Sequence, residues 1–417
     1  MRFSQFNLLL LCANVNKHWF CLIDSSLILS IKMPIDYTNI PSPCFVLEEE
    51  LLRKNLTLID HVQKSAGCKI ILALKGFSMY SAFPIVKEYL SGATASSLNE
   101  VKLINDFMGY PAHTYMPAYL DQEFTEIMER SSHITFNSFS QWERFKGRVE
   151  EFKAANPEHA LSCGIRVNPQ YSEVETDMYN PCVPGSRLGV TRDKLPDTLP
   201  DGIDGIHFHS LCENDSSTLE RTLEALESRF ADLLHQAKWL NMGGGHLMTR
   251  EGYDIDKLIG LVQKIREKYN IDVILEPGSA IAWRTGELVT TVLDVMDSQG
   301  IDVAILDTSF AAHMPDTLEM PYKPVIRGAY HEAQPGKPTY RMGGMTCLAG
   351  DFIGDYSFDK PLQIGDRIIF EDMIHYTMVK TTTFNGVNLP SIGIWQKNGS
   401  FRLIRSYGYE SFKDRLS

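Results

Sequence analysis

A strand–helix–strand pattern fills residues 239–278, whose sequence is WLNMGGGHLMTREGYDIDKLIGLVQKIREKYNIDVILEPG. A short apolar run at 239–243 leads into three glycines, and a second apolar run at 273–278 ends in Glu-Pro-Gly. Between them, apolar residues recur at helical spacing over 255–269, which indicates an amphipathic helix. The pattern predicts two parallel strands joined by a crossover helix, with each strand ending in a turn.

The same alternation extends upstream from this stretch. Short apolar runs at 69–75, 93–97, 114–118, 134–138, 162–168 and 203–210 bring the number of predicted strands to eight. Amphipathic stretches lie at 48–66, 97–107, 122–130, 139–154 and 218–235. Eight short strands each followed by a helix, over roughly 210 residues, predict an α/β fold with a parallel (β/α)8 barrel of the TIM type. An open doubly wound sheet shows the same alternation, and counting strands does not distinguish the two.

The pattern changes after about residue 283. Apolar and polar residues alternate with period two at 288–295, 302–306, 367–370 and 391–395, and turn pairs lie at Gly343-Gly344, Gly365-Asp366 and Asn385-Gly386. We therefore predict a barrel domain over 34–284 and a mainly antiparallel β domain over 285–417. Residues 34–47 contain an early strand that could pair with the β domain.

The first 33 residues have a different character. The apolar run Leu8–Leu11 is short, and polar residues follow it at once, so the signal for secretion is weak. We interpret residues 1–33 as an N-terminal extension that is disordered or not native, with Met33 as the natural start. No later run approaches about 18 apolar residues, so no membrane span is expected.

Composition narrows the class of partner. The 417 residues include 40 Lys and Arg against 52 Asp and Glu, for a net charge of −12. This balance disfavours nucleic acid or an anionic membrane as the partner and favours cationic small molecules. The eight cysteines are scattered without a CxxC pair, which predicts reduced thiols in a cytoplasmic protein and no metal site.

Polar groups stand at four of the predicted strand ends, which meet at one mouth of a barrel. Lys75 closes the first strand, His209 the sixth and Glu276 the eighth, while Gly243–Gly245 follow the seventh. A lysine in a partly dry mouth can form an imine, and successive glycines leave backbone N–H groups for a phosphate. Glu276 could hold a proton on a ring nitrogen. Together these groups suit pyridoxal phosphate.

Each group also has a simpler interpretation on its own. A lysine near a strand end often extends to water. Glycines in a turn can be there only because the backbone needs positive φ values, and a carboxylate at a strand end can cap a turn. His207 and His209 alternate along one strand, so we expect one to face the mouth and the other to be a hydrogen-bonded core histidine.

The chain from about residue 41 to 387 resembles the fold-type III, alanine racemase-like pyridoxal phosphate enzymes, in their ornithine and diaminopimelate decarboxylase branch. The matching segments are ALKG at 73–76, GATASSLNE at 92–100, SRLGV at 186–190, GIHFHS at 205–210, NMGGGH at 241–246, LEPG at 275–278, GGMTC at 343–347 and YTMVKTTTFNG at 376–386. The resemblance implies pyridoxal 5'-phosphate as the cofactor. It implies that Lys75 bonds the cofactor, His209 stacks on the ring, Glu276 pairs with the ring nitrogen, and Gly243–Gly245 and Tyr376 hold the phosphate.

The resemblance also implies a head-to-tail homodimer with shared active sites. Cys347 matches a cysteine that reaches into the partner's site and supplies a proton after carbon dioxide leaves. Ser279, the Ser210–Glu213 segment, Leu348 and HMPDTLEMPYKP at 313–324 depart from the ornithine-type pattern and resemble the polyamine branch. The implied reaction is decarboxylation of carboxynorspermidine or carboxyspermidine to norspermidine or spermidine in polyamine biosynthesis.

A carboxylated triamine brings several ammonium groups into its pocket, and each needs a carboxylate. The candidate acids are Glu213, Asp307, Asp316, Glu319, Asp351 and Asp355. Of these we favour Glu213, Asp316 and Asp351, while His313 either orients Asp316 or simply packs.

Other functions stay open at this point. A decarboxylase of diaminopimelate, ornithine or lysine is disfavoured by Leu348, because an acidic residue normally follows the cysteine. A non-catalytic homologue that only holds the cofactor is disfavoured by the presence of both Lys75 and Cys347. A racemase would need a suitably placed tyrosine, which the segment 343–347 lacks.

Overall fold

The computed structural model describes residues 13–15, 18–20 and 35–417. The chain divides into a unit of residues 1–36 and a unit of residues 37–417. In the first unit, strands β1 (Ala13–Val15) and β2 (His18–Phe20) pair antiparallel. The remainder of the predicted extension at 1–33 lies outside the described residues, and its interpretation stays a prediction.

A parallel sheet of nine strand segments forms the barrel of the second unit. In chain order these segments are β4 (Lys69–Ile70), β5 (Leu72–Ala73), β6 (Ala93–Ala95), β7 (Ala112–Tyr115), β8 (Ser131–Phe136), β9 (Ser162–Arg166), β10 (Gly205–His207), β11 (Trp239–Asn241) and β12 (Asp272–Leu275). β4 pairs with β12, and β5 pairs with β6. Only Ile71 separates β4 from β5, and its N–H donates to the carbonyl of Leu275 at 3.0 Å. The two segments are therefore halves of one strand that closes the sheet, and the predicted eight-stranded barrel is confirmed.

A tryptophan fills one end of the barrel interior. Trp239 begins β11, is 5% exposed and packs with Ile71 and Ile274. A Cβ on Gly205, the first residue of β10, would lie 2.0 Å from the Trp239 ring. The strand pairing thus requires glycine beside Trp239, because a larger residue would overlap the indole.

Helices surround the barrel unevenly. They are α1 (Glu49–Ala66), α2 (Phe83–Val86), α3 (Leu98–Met108), α4 (Asp121–Arg130), α5 (Phe139–Ala155), α6 (Ser216–Leu234), α7 (Ile255–Tyr269) and α8 (Ser279–Ala282). The five long helices after β6, β7, β8, β10 and β11 match the predicted ones within about two residues. The expectation of a full helix after every strand is wrong at β9, where residues 167–204 contain only short 3-10 turns.

Eight strands form the second sheet, and it is mainly antiparallel as predicted. They are β3 (Cys44–Glu48), β13 (Gly286–Ser298), β14 (Ile301–Leu306), β15 (Thr339–Gly343), β16 (Phe352–Ser357), β17 (Arg367–Glu371), β18 (Ser391–Trp395) and β19 (Phe401–Arg405). β3 pairs antiparallel with β13 and parallel with β18. The period-two pattern of apolar and polar residues did not predict β15, β16 and β19. The domain limits 34–284 and 285–417 stay a prediction.

Short helices lie between the strands of this sheet and after its last strand. They are α9 (Phe310–His313), α10 (Asp316–Glu319), α11 (Tyr376–Val379) and α12 (Tyr409–Lys413). Within the described part of the chain, no helix has the length and apolar character needed to cross a membrane.

Candidate active site

Lys75 and His209 form the centre of the candidate site. The Lys75 Nζ atom lies 2.9 Å from Nε2 of His209. The turn that carries Lys75 touches the turn after β12, because a Cβ on Gly76 would lie 2.8 Å from the Cα of Gly278. Close backbone approach at these two glycines brings the first and eighth strand ends together, as the barrel requires.

The surroundings of Lys75 favour the uncharged form of its amine. Burial lowers the pKa of Lys75, and the nearby positive charge of Arg166 lowers it further, against the opposing charge of Glu276. Burial and the Lys75 charge likewise lower the pKa of His209 well below its usual value. A neutral amine is the form that attacks a carbonyl carbon, so the site favours imine formation at Lys75.

His209 is fixed by the glycine turn after β11. The amide of Gly244 lies 3.0 Å from Nδ1 of His209, and the Gly244 carbonyl oxygen lies 3.2 Å from the same nitrogen, so this glycine holds the ring in either neutral tautomer. The amide of Gly243 donates to Oδ1 of Asn241 at 2.8 Å, and Nδ2 of Asn241 donates to Oε1 of Glu276 at 2.7 Å. Two amides of the predicted phosphate turn therefore orient a histidine and an acid.

The turn after β11 also has no room for side chains at its glycine positions. A Cβ on Gly244 would lie 2.5 Å from the carbonyl oxygen of Glu276, and one on Gly245 would lie 2.1 Å from that of Leu211. Gly243 and Gly245 have positive φ values of 65° and 89°. The phosphate-binding role of Gly243–Gly245 stays a prediction.

Glu276 is a largely buried carboxylate. Its side chain is 12% exposed, and burial raises its pKa. His207 Nε2 lies 3.8 Å from Oε2 of Glu276, and neither ring nitrogen of His207 has a hydrogen-bond partner among the described residues. The expectation of a hydrogen-bonded core histidine is wrong in this respect. Residues two apart along a strand point to the same face, so the expectation that only one of the two histidines faces the mouth was wrong. His209 lies beside Lys75 and His207 lies near Glu276.

Arg166 and Tyr115 are parts of the site that the sequence analysis missed. Arg166 ends β9, is 3% exposed and donates from Nη2 to the backbone oxygen of His209 at 3.0 Å. Its guanidinium lies 4.7 Å from the centre of the Tyr115 ring, and the His207 ring meets that ring edge-on at 5.3 Å. The position of Arg166 was the signal that could have identified it, because an arginine that ends an apolar barrel strand lies at the mouth.

Two of the predicted substrate-binding acids lie near one another. Asp316 is 8% exposed; its Oδ2 accepts hydrogen bonds from Tyr322 at 2.8 Å and Thr377 at 2.7 Å. Its Oδ1 is buried and has no hydrogen-bond partner among the described residues. Burial raises the pKa of Glu213, against the neighbouring charge of His375. Tyr376 follows His375, and burial and the Cys212 and Glu213 charges raise its pKa.

Asp351 and His313 occupy a different environment. Oδ1 of Asp351 accepts from the amides of Phe310 at 2.7 Å and Ala311 at 3.0 Å, while Oδ2 accepts from the Thr346 amide and hydroxyl at 3.1 and 2.6 Å. His313 Nδ1 accepts from the Ser309 amide at 3.2 Å, and burial lowers the pKa of His313 to about 4. Both oxygens of Asp351 thus organise the start of α9 and the loop before Cys347. The other candidate acids are engaged as well: Asp307 accepts from Thr290 and Thr291, Glu319 pairs with Lys380, and Asp355 pairs with Arg341.

Cys347 stands on the surface. It is exposed, and its amide donates to the Asn385 side chain at 2.7 Å. Large apolar side chains around it are also exposed, namely Met345 at 44%, Leu348 at 46%, Phe352 at 43% and Phe384 at 47%. In the described part of the chain, no hydrogen bond or ion pair joins Cys347 to the Lys75 group. None of the six described cysteines forms a disulfide.

This set of groups fits pyridoxal phosphate. A neutral amine suits an aldehyde, a flat neutral imidazole beside that amine suits the face of a ring, and a buried carboxylate suits a ring nitrogen. A buried carboxylate keeps its charge only beside a cation, and a protonated ring nitrogen is such a cation.

Comparison with known proteins agrees with this chemistry. Residues 44–374 match the model of the pyridoxal-dependent decarboxylase, C-terminal sheet domain. A carboxyaminopropylagmatine decarboxylase from Synechocystis is 50% identical over 91% of this chain and 96% of that protein. A carboxynorspermidine/carboxyspermidine decarboxylase from Campylobacter jejuni is 41% identical over 91% of this chain and 99% of that protein.

A solved structure gives the same result for the fold. The crystal structure of carboxynorspermidine decarboxylase from Campylobacter jejuni, complexed with norspermidine, superposes with a TM-score of 0.82 at 40% identity. The superposition covers 90% of this chain and 100% of that one. The chain belongs to the pyridoxal-dependent decarboxylase family, whose cofactor is pyridoxal phosphate.

Proposed function

We propose that this chain removes carbon dioxide from carboxynorspermidine or carboxyspermidine and releases norspermidine or spermidine, as a step of polyamine biosynthesis. The observation that carries the proposal is the buried Lys75 amine, whose Nζ lies 2.9 Å from Nε2 of His209 in the same mouth as the largely buried Glu276. The acids Glu213 and Asp316 supply negative charge near this mouth, which suits a cationic substrate. The relative from Campylobacter jejuni whose name gives these two substrates is 41% identical to this chain.

The cofactor-binding roles are those that the family resemblance implies. Lys75 would bond the cofactor aldehyde, His209 would stack on the ring, and Gly243–Gly245 with Tyr376 would hold the phosphate. When bound, pyridoxal phosphate supplies a conjugated cationic ring that accepts the electron pair left by the departing carboxylate. Glu276 keeps the proton on the ring nitrogen, and its 2.7 Å hydrogen bond from Asn241 fixes the carboxylate in position.

The distal end of the substrate meets the acid groups. Asp316 offers a buried oxygen without a partner among the described residues, which an ammonium N–H would satisfy. Glu213 offers a second carboxylate. Asp351 is left out of this role because its oxygens accept from the start of α9 and from Thr346 before Cys347. His313 is left out because its Nδ1 is bonded to Thr308 and Ser309 and no hydrogen bond joins it to Asp316 in the described part of the chain.

The active protein is a homodimer with shared sites. The exposed apolar side chains around Cys347 suit burial against a second copy of the chain. In that arrangement, Sγ of Cys347 enters the partner's site and donates a proton to the α-carbon after carbon dioxide leaves. We place the protein in the cytoplasm, where the six described free cysteines would stay reduced.

Carboxyaminopropylagmatine is a second candidate substrate. The Synechocystis relative with that named substrate is 50% identical to this chain. A guanidinium end would also need a carboxylate, and planar guanidinium groups bind carboxylates through paired hydrogen bonds. The same acids therefore suit this substrate.

One experiment separates these possibilities. We expect purified protein with added pyridoxal phosphate to decarboxylate the carboxytriamines or carboxyaminopropylagmatine, with the product identified by mass spectrometry. Lys75→Ala should abolish the activity. Activity on ornithine, lysine or diaminopimelate alone would make the substrate assignment wrong. Retention of the cofactor without release of carbon dioxide from any of these compounds would instead indicate a non-catalytic protein.

A further inference from the structure

Asp316 is a buried acid whose two carboxylate oxygens have different surroundings. The residue begins α10 and is 8% exposed. Its Oδ2 atom accepts from the Tyr322 hydroxyl at 2.8 Å and from the Thr377 hydroxyl at 2.7 Å. Its Oδ1 atom is buried and has no hydrogen-bond partner among the described residues. A buried carboxylate oxygen without a donor is costly, so Oδ1 is the atom that a ligand N–H would bond.

The two hydroxyl groups leave only one oxygen of Asp316 open to a ligand. Each oxygen of an ionised carboxylate has two lone-pair sites, and Tyr322 and Thr377 occupy both sites on Oδ2. A guanidinium binds a carboxylate best through two parallel hydrogen bonds, one to each oxygen. An alkylammonium is a compact charge that needs a single oxygen. Asp316 therefore suits an alkylammonium better than a guanidinium.

The hydroxyl donors come from two different segments of the chain. Thr377 is a fully buried residue of α11, and it directly follows Tyr376 of the proposed phosphate-binding group. Tyr322 follows α10, and its amide donates to the Thr317 carbonyl at 3.3 Å. A carboxylate that is held from two segments keeps Oδ1 in one orientation. Such preorganisation lowers the free-energy cost of binding a cation.

Glu213, the other acid proposed to meet the substrate, has a more open environment. It lies in the loop after β10 and is partly exposed. Its carboxylate forms no hydrogen bond or ion pair with another residue in the part of the chain that the structure describes. Both oxygens of Glu213 are therefore open, and they can accept from an alkylammonium or from both arms of a guanidinium.

The candidate substrates share one of their two distal cations. Carboxynorspermidine, carboxyspermidine and carboxyaminopropylagmatine each have an internal secondary ammonium. The terminal cation is an ammonium in the first two compounds and a guanidinium in the third. An acid that suits only an alkylammonium matches the shared internal nitrogen, whereas an acid with two open oxygens matches either terminal group. Burial agrees with this assignment, since the middle of a bound chain is more enclosed than its end.

We propose that Asp316 binds the internal secondary ammonium of the substrate and that Glu213 binds its terminal cation, with Tyr322 and Thr377 as the positioning residues of Asp316. This inference rests on the proposed function and deepens it, because it assigns one acid to each distal nitrogen. It also gives Tyr322 and Thr377 a measurable effect on substrate selection.

The test is calorimetric titration of two ligands into the holoenzyme. One is norspermidine, and the other is the diamine of equal chain length in which a methylene replaces the internal nitrogen. Both have the same terminal ammonium groups, so their difference in affinity measures the internal nitrogen alone. We expect wild-type protein to bind norspermidine at least about tenfold more tightly, the size of one hydrogen bond between charged groups. Asp316→Asn should remove most of this preference, whereas Glu213→Gln should weaken both ligands by a similar factor.

Variants of the positioning residues test the hydroxyl groups. Tyr322→Phe and Thr377→Val should each reduce the preference for norspermidine, while Thr377→Ser keeps the hydroxyl and should retain it. Tyr330→Phe is the matched control, because Tyr330 is 38% exposed against 37% for Tyr322 and its hydroxyl donates to Asp359 at 3.0 Å. In steady-state assays with a carboxytriamine, Tyr322→Phe should raise KM with little change in kcat.

The outcomes separate the two proposals. Suppose that wild-type protein decarboxylates a carboxytriamine. The assignment of Asp316 is then wrong if wild type does not prefer norspermidine, if Asp316→Asn weakens both ligands equally, or if Glu213→Gln is the variant that removes the preference. If Asp316→Asn does not fold, Tyr322→Phe and Thr377→Val decide in the same way. If wild-type holoenzyme decarboxylates neither a carboxytriamine nor carboxyaminopropylagmatine, the proposed function fails, and the inference fails with it.

Discussion

Glu276 shows how a single residue depends on its neighbours for its charge. Burial raises its pKa, while the hydrogen bond from Asn241 and the nearby Lys75 charge oppose that rise. A cationic ring nitrogen would add a stronger opposing interaction, so the presence of that partner favours the ionised carboxylate. Its contribution to catalysis therefore depends on the cofactor, and substitution should affect the reaction more than substrate binding.

We predict that Glu276→Gln lowers kcat by about a hundredfold or more with little change in KM, because a transition-state charge interaction is lost. Steady-state kinetics with a carboxytriamine measures this, and the cofactor absorbance shows whether the variant is still loaded. Glu220→Gln, which removes an exposed ion pair with Lys257, serves as the control. A rise in KM at constant kcat would place Glu276 in substrate binding instead.

Individual residues differ in how far sequence predicts them. Lys75, His209 and Glu276 stand at strand ends, so strand counting is enough to bring them together. Arg166 was missed, although its strand was predicted, because its effect on Lys75 comes from a position across the barrel. The bonds of Asp351 could not be predicted, because its partners are backbone amides and the Thr346 hydroxyl, which no residue pattern reveals.

At the scale of elements, the strand pattern was predictable and the connections were less so. Barrel strands are buried on both faces, so they appear as short continuous apolar runs. The long helices have amphipathic patterns and capping residues, such as Ser97, which accepts from the Glu100 amide at 3.2 Å. The segment 167–204 has neither signal, and its hydrogen bonds join loops that are distant in sequence, such as Asn137 with Gly189.

The packing of β10 against β11 gives a prediction for stability. Gly205→Ala should destabilise the protein by about 1–3 kcal/mol, because the new Cβ would overlap the Trp239 ring. Gly147→Ala is the matched control: Gly147 lies in α5, a Cβ there meets nothing within 4 Å, and alanine favours helix. Denaturant unfolding of both variants measures the difference. Equal unfolding midpoints would mean that the barrel accommodates the methyl group.

At the scale of the whole molecule, the site is incomplete within one chain if Cys347 supplies the final proton. Cys347 is exposed among apolar side chains, whereas Lys75 lies inside the barrel mouth. In a closed twofold dimer that brings one Cys347 to the Lys75 of the other chain, symmetry repeats the contact at the second site. The negative net charge of −12 attracts the cationic substrate to the protein as a whole.

Mixing two inactive variants tests this arrangement. Lys75→Ala and Cys347→Ala chains should each have little activity alone, yet random re-pairing should restore about a quarter of wild-type activity, because half of the dimers are mixed and each has one intact site. Activity is measured after mild dissociation and reassociation, with sedimentation to follow the dimer. Adding Leu348→Asp to both chains should weaken the apolar contact and reduce the recovery. If mixed dimers form without any recovery, Lys75 and Cys347 do not act in one shared site.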